Sequence, residues 1–129
     1  MEIKILPRET VLVAKNHQSL IDWYINNLNF KIINNFPDIK YCYLETDSGI
    51  KIGIADMESL GNENYSKRIM NTVILQIATN DLEILFKKIK SNGGTILFGP
   101  SYDDGDEYWY GSISDKEGNE IWVIDENCP

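Results

Sequence analysis

Residues 49–56 read GIKIGIAD and residues 118–125 read GNEIWVID. Gly, Ile and Asp recur at equal offsets, displaced by 118 − 49 = 69 positions. In a chain of 129 residues, that leaves room for two copies of one supersecondary unit and little else. The order of elements agrees. In the first copy, ETVLVA (residues 9–14) has the composition of a strand. Asn16 or Ser19 can then cap a helix whose apolar stripe is Ile21, Tyr24, Ile25 and Leu28, at i, i+3, i+4 and i+7. Asn29 follows the stripe and tolerates the left-handed conformation that ends helices. Strands are expected at about 30–35, 40–46 and 50–56, with Ser48-Gly49 turning between the last two.

The second copy repeats this pattern. TVILQIA (residues 72–78) predicts a strand, and Asn80 with Glu83 predicts a capping box. Leu82, Leu85, Phe86 and Ile89 repeat the stripe, and Gly93-Gly94 stops it. Strands follow at 95–98, 107–114 and 119–124. A weaker alternation at residues 2–6 suggests a short leading strand. The expected fold is therefore α+β: two βαβββ modules, about 8–56 and 71–126, joined by a polar connector at 57–70 within one domain over 1–129. Their half-barrel sheets are expected to face each other around a cleft.

Charge and composition narrow the function classes. The net charge of −8 repels nucleic-acid phosphates and anionic membrane alike, so neither is an expected partner. No run of 18 apolar residues is present, and Pro7-Arg8 interrupts the N-terminal segment before a signal peptide's apolar core could form. A cytoplasmic location is the expectation. Cys42 and Cys128 then read as plain thiols.

Strand alternation sorts side chains by face. On the last strand Ile121 and Val123 are core, which turns Trp122 to the cleft. Ile52 and Ile54 are core, so Lys51 and Gly53 face the cleft. Leu44 is core, so Tyr41, Tyr43 and Glu45 line the cleft. Ile113 is core, so Tyr108, Tyr110 and Ser112 line it, and Gln76 joins them from between Leu75 and Ile77. An aromatic wall with Glu45 and Gln76 as polar handles suits a flat or cationic organic ligand. The competing reading is that the rings fill a closed barrel or cover an interface. Residues 102–110 (YDDGDEYWY) form either an acidic aromatic rim or a solvated loop entering a strand. The run Asp103, Asp104, Asp106 lacks an EF-hand pattern.

Four segments, taken together, resemble the glyoxalase/bleomycin-resistance/dioxygenase (vicinal-oxygen-chelate) superfamily. SLIDWYINNLNF (19–30) resembles its first helix, with Asn29 where the family has Gly. DLEILFKKIKSNGGTILFGP (81–100) resembles its second helix and the following strand. DKEGN (115–119) resembles its Asp-Pro-x-Gly-Asn turn, with Lys116 replacing Pro, and residues 120–124 complete the final strand. The resemblance covers about residues 8–126. It implies a divalent metal held by His or Glu at four inward positions. Those positions fall here on Glu9, Gly53, Thr72 or Ile74, and Trp122, so Glu9 is the one matching candidate. His17, the single histidine, sits at the start of the first helix and reads as a solvent-facing or cap-region residue. The expectation is a metal-independent small-molecule-binding protein with no cofactor. Two alternatives stand beside it. One is a lyase, isomerase or dioxygenase with a degenerate metal set, or with Glu45 as a general base. The other is a homodimeric interaction or regulatory module, since the resemblance implies pairing of two chains.

Overall fold

A computed structural model describes residues 6–59 and 74–129. The chain divides into two compact units, residues 1–67 and 68–129. Residues 2–5 of the expected leading strand, most of the connector, and Thr72 lie outside the described residues.

Unit one runs β1 (Thr10–Ala14), α1 (His17–Leu28), β2 (Lys31–Phe36), β3 (Tyr41–Glu45) and β4 (Lys51–Asp56). The sheet order is β1-β4-β3-β2, with β1 parallel to β4 and the other pairs antiparallel. A parallel pair needs a crossover, and α1 with β2 and β3 supplies it. The helix packs on β4. Its buried side chains are Leu20, Ile21, Trp23, Tyr24, Asn27 and Leu28, a wider face than the four-residue stripe predicts. The extra breadth comes from an aromatic cluster. Tyr24 meets Trp23 edge-on at 5.0 Å and Phe30 at 5.5 Å. Asn27 is buried without penalty because its Nδ2 donates to the Trp23 carbonyl at 3.0 Å.

The ends of α1 follow the sequence in part. Asn16 holds the N-cap position and its carbonyl accepts from the Leu20 amide at 3.0 Å, but its side chain makes no capping bond. Asn29 adopts the left-handed conformation, φ 59° and ψ 30°, and its amide returns to the Tyr24 carbonyl. His17 is not simply solvent-facing: half-buried, it donates from Nε2 to the Ile54 carbonyl at 2.7 Å. That bond ties the first turn of α1 to β4.

Unit two runs β5 (Leu75–Thr79), α2 (Leu82–Ser91), β6 (Thr95–Asp103), β7 (Tyr108–Ser114) and β8 (Glu120–Asp125). Its sheet order, β5-β8-β7-β6, has the same connectivity, with β5 parallel to β8. Both units are thus βαβββ. Leu82, Phe86 and Ile89 of α2 are buried, while Leu85, the fourth residue of the expected stripe, is half-buried, and the helix packs on β6 and β8. Its cap lies one residue later than expected. Asp81, not Asn80, is the N-cap, and its Oδ1 accepts from the Ile84 amide at 3.0 Å. The Thr79 hydroxyl accepts from the Asp81 amide at 3.3 Å, which turns the chain so that Asp81 reaches the helix end.

The strand at 95–98 is also longer than expected. It continues through Gly99-Pro100 to Asp103, with register shifts against β7 between Ile96 and Phe98 and between Phe98 and Ser101. Proline is tolerated there because β6 is an edge strand whose outer amides need no ladder partner. In the turn at residues 115–119, the buried Asp115 carboxylate accepts from the Glu117 amide (2.8 Å), the Asn119 amide (2.9 Å) and Asn119 Nδ2 (2.8 Å). Gly118 closes it at φ 83°, a conformation costly for other residues.

The 69-residue repeat acquires a physical meaning. Asp56 and Asp125 each end the strand beside the parallel partner, and both are buried. Asp56 accepts from the Ser59 amide (3.0 Å) and hydroxyl (3.1 Å); Asp125 accepts from the Asn127 amide (2.8 Å) and the Trp109 amide (2.6 Å). Each carboxylate fixes the chain as it leaves its sheet. Cys42 is buried and Cys128 half-buried, both as free thiols. Among the described residues no helix is long and apolar enough to cross a membrane.

Gly111 is where α2 approaches the sheet most closely. A Cβ there would lie 2.6 Å from the Phe86 ring and 2.7 Å from the Phe98 carbonyl oxygen. Gly111→Ala is expected to lower unfolding free energy by about 1–3 kcal/mol, as overpacked cores do, and equilibrium urea denaturation measures it. An unchanged midpoint would contradict this packing.

Candidate functional site

The faces of β8 are set by burial. Ile121 and Val123 are 1% and 0% exposed, whereas Trp122 between them is 47% exposed. Register carries this assignment across the sheet. Trp122 pairs with Gln76 on β5 and Ser112 on β7, Ile124 pairs with Tyr110, and Phe98 on β6 pairs with Ser112. Paired residues project to the same side, so all of these lie opposite α2. On that side is a hollow of about 420 Å³ lined by Trp122, Tyr110, Tyr108, Phe98, Gln76 and Glu120, among others. The five unit-two residues predicted from alternation, Gln76, Tyr108, Tyr110, Ser112 and Trp122, all border it. Tyr110 stands between two rings, 5.7 Å from Phe98 and 5.8 Å from Tyr108.

Glu120 belongs to this group and was absent from the sequence-based set. Its Oε2 accepts from the Ser112 hydroxyl at 2.7 Å and from Trp122 Nε1 at 3.0 Å. The signal was available: a residue two before Trp122 on one strand shares its face. Phe98 was hidden for a different reason. The shifts in β6 break the alternation that would have assigned it. The acidic segment beside the hollow is a turn held by its own carboxylate, since Asp103 Oδ1 accepts from the amides of Gly105 (2.9 Å) and Asp106 (3.0 Å). Tyr108 ionises less readily than a free tyrosine, through burial first and then the negative charge near it, Asp103 and Asp106 included.

In unit one, Tyr41, Tyr43, Glu45 and Gly53 share the sheet face opposite α1. Tyr43 pairs with Gly53, and the buried Cys42 and Leu44 occupy the other face. Gly53 gives Tyr41 its place, because any Cβ at 53 would overlap the Tyr41 hydroxyl. That hydroxyl donates to Glu9 Oε2 at 2.8 Å, and Arg8 Nε donates to Glu9 Oε1 at 3.1 Å. Glu9 is thus bonded to a residue on each side, Tyr41 and Arg8. Its side chain is 11% exposed and both oxygens are engaged. Burial and the Glu45 carboxylate raise the Tyr43 hydroxyl above its ordinary range.

The divalent metal implied by the family resemblance does not fit these residues. Glu9 is committed to Tyr41 and Arg8, Gly53 and Trp122 offer no side-chain donor, and the remaining position falls on Ile74, which offers none, or on Thr72, which lies outside the described residues. Among the described residues, no three His, Cys, Asp or Glu side chains converge as a metal would require.

The Tyr41–Glu9 bond makes a pH prediction. Burial, and then the hydrogen bond to Glu9, push the Tyr41 hydroxyl from 10.0 up to about 12. A raised folded-state value means that this bond stabilises the fold fully below pH 10 and is lost as pH climbs towards about 12. NMR titration of the Tyr41 ring is expected to show ionisation near 12, and a midpoint near 10 would contradict the contact.

The sequence model of the Glyoxalase/Bleomycin resistance protein/Dioxygenase superfamily matches residues 8–123. A search of functionally curated proteins gave no match. Among solved structures, a hypothetical protein from S. aureus superposes with TM-score 0.73 at 19% identity, covering 95% of each chain. A glyoxalase/bleomycin resistance protein/dioxygenase family enzyme from Burkholderia phytofirmans PsJN gives TM-score 0.73 at 13% identity, over 91% of this chain and 95% of that one. Glyoxalase I from Zea mays gives 0.69 at 20% identity, over 90% of this chain and 43% of that one. At these identities the superpositions speak to the fold alone. With the profile match spanning nearly the whole chain and both units built as βαβββ, the chain belongs to the glyoxalase/bleomycin resistance/dioxygenase superfamily.

Proposed function

We propose that this protein binds a small aromatic or cationic organic molecule without a metal, as a binding member of its superfamily rather than a catalyst. The observation that carries this reading is the 420 Å³ hollow on the open face of the unit-two sheet. Its size is in the range of small-molecule sites. Its wall is four aromatic rings with a few polar groups, Gln76, Ser112 and Glu120. Rings in this arrangement offer stacking area at small entropic cost, since each has two rotatable side-chain bonds.

The superfamily description covers glyoxalases, resistance proteins and dioxygenases, so membership alone selects no chemistry. The donor set favours a reading without a metal-assisted reaction: of the four ligand positions, Gly53 and Trp122 carry no donor, a third falls on Thr72 or Ile74, and Glu9 is already bonded to Tyr41 and Arg8. Binding needs affinity only, and the aromatic wall supplies groups suited to it.

Two measurements test the proposal together. Aromatic fragments titrated into protein with isotope-labelled tryptophan are expected to shift the Trp122 indole N–H, with affinity unchanged by chelator. Trp122→Ala is expected to weaken binding by about tenfold, the loss typical of a buried aromatic contact. One tightly held divalent ion per chain, required for that binding, would overturn the reading.

A further inference from the structure

We propose that Glu120 is the anchoring carboxylate for an organic ammonium ion whose apolar body rests on the rings of Trp122, Tyr110 and Phe98. This inference rests on the reading of the unit-two hollow as a ligand site, and adds the charge and the anchoring atom of what enters it.

The first observation is the way the carboxylate is held. Ser112 Oγ and Trp122 Nε1 both donate to the same oxygen, Oε2, at 2.7 and 3.0 Å. Two donors on one oxygen fix the direction of the group, and among the described residues no hydrogen bond reaches Oε1, which can accept one. Among the described residues, neither ion pair involves Glu120: Arg8 pairs with Glu9, and Lys31 with Asp47. The described protein thus orients a negative charge at the hollow without supplying its counter-charge. Asp56 and Asp103, like Glu120, take two donors on one oxygen, but as structural carboxylates held by residues that closely follow them in their own turns. Asp115 uses both oxygens on three donors of its own turn, and Asp125 uses both on backbone amides.

The second observation is what surrounds that charge. Trp122 donates to Glu120 through its ring edge, which leaves the indole face open, and the residue is 47% exposed. Tyr110 and Phe98 stand on the same side of the sheet, 5.7 Å apart. Aromatic faces present negative potential and attract cations, ammonium ions above all. A carboxylate beside them adds a charge-assisted hydrogen bond for an N–H, or a plain ion contact for a methylated nitrogen. The third observation is the local field. Asp103 and Asp106 both act on Tyr108 at the hollow's edge, and the chain carries a net −8. This field repels an anion and favours a cation. A volume of about 420 Å³ admits one small molecule of this kind.

The test uses three probes that share a naphthylmethyl body. They are (2-naphthylmethyl)trimethylammonium, neutral 2-naphthylmethanol and anionic 2-naphthylacetate, each titrated into the full chain with the Trp122 indole N–H as readout. The cation is expected to bind at least about tenfold more tightly than the neutral probe, with the anion weakest. Glu120→Gln keeps the shape and an acceptor but removes the charge. It is expected to bring cation and neutral probe within about twofold of each other while leaving the neutral affinity in place. Ser112→Ala frees one side of the carboxylate and is expected to reduce the preference part of the way. If the neutral probe binds wild type as tightly as the cation, or if Glu120→Gln keeps the cation preference, the inference about Glu120 is overturned while the ligand site stands. If no probe moves the Trp122 signal, the ligand site and the inference fall together.

Discussion

Burial of Ile121 and Val123 on the α2 side of the sheet is the constraint on which the rest of unit two depends. Side chains on a strand alternate, so sealing those two on one side commits Glu120 and Trp122 to the other. A slip of one residue would bury the indole and the carboxylate and expose both branched side chains, at a cost of several kcal/mol in lost apolar burial. The helix enforces this choice closely. Phe86 sits against Gly111 on the neighbouring strand, where an added side chain would overpack the core. The same packing that stabilises the fold therefore places the aromatic wall.

Unit one applies the same logic to a different end. Leu44, Ile52 and Ile54 seal the α1 side, which leaves Tyr41, Tyr43 and Gly53 on the opposite face. There the missing side chain at Gly53 lets Tyr41 lie flat and reach Glu9. A residue that the family pattern offers as a metal ligand is thus used internally, as the acceptor for a tyrosine and an arginine. The two sheets share a topology and a buried terminal aspartate, yet their open faces have diverged. One is closed down by a Tyr–Glu–Arg chain, and the other holds a hollow with a carboxylate oriented at its edge.

Much of this was legible in the sequence because it rests on period. The helix stripes and the opposite facing of Trp122 follow from spacing of 3.6 or 2, the stop at Asn29 from that residue's tolerance of the left-handed conformation, and the pairing of GIKIGIAD with GNEIWVID from direct comparison of the two halves. What spacing does not encode was missed. The cap of α2 moved from Asn80 to Asp81 because Thr79 bends the chain by a side-chain bond. The strand through Pro100 was cut short because proline reads as a stop unless the strand is known to lie at an edge. Phe98 lies within the expected strand at 95–98, but the register shifts on either side of it break the alternation that assigns faces. Glu120 lies two residues before the metal-ligand position of the family pattern, and the alternation that places Trp122 places Glu120 beside it.

The most direct test of a metal-free aromatic site on the open face of β8 is a set of intermolecular nuclear Overhauser effects between bound (2-naphthylmethyl)trimethylammonium and the protein, recorded with chelator present. The account predicts contacts from the naphthyl protons to the Trp122 and Tyr110 rings and none to the side-chain methyls of Ile121 or Val123. Contacts confined to the α2 side of the sheet, or appearing only when a divalent metal is restored, would contradict it.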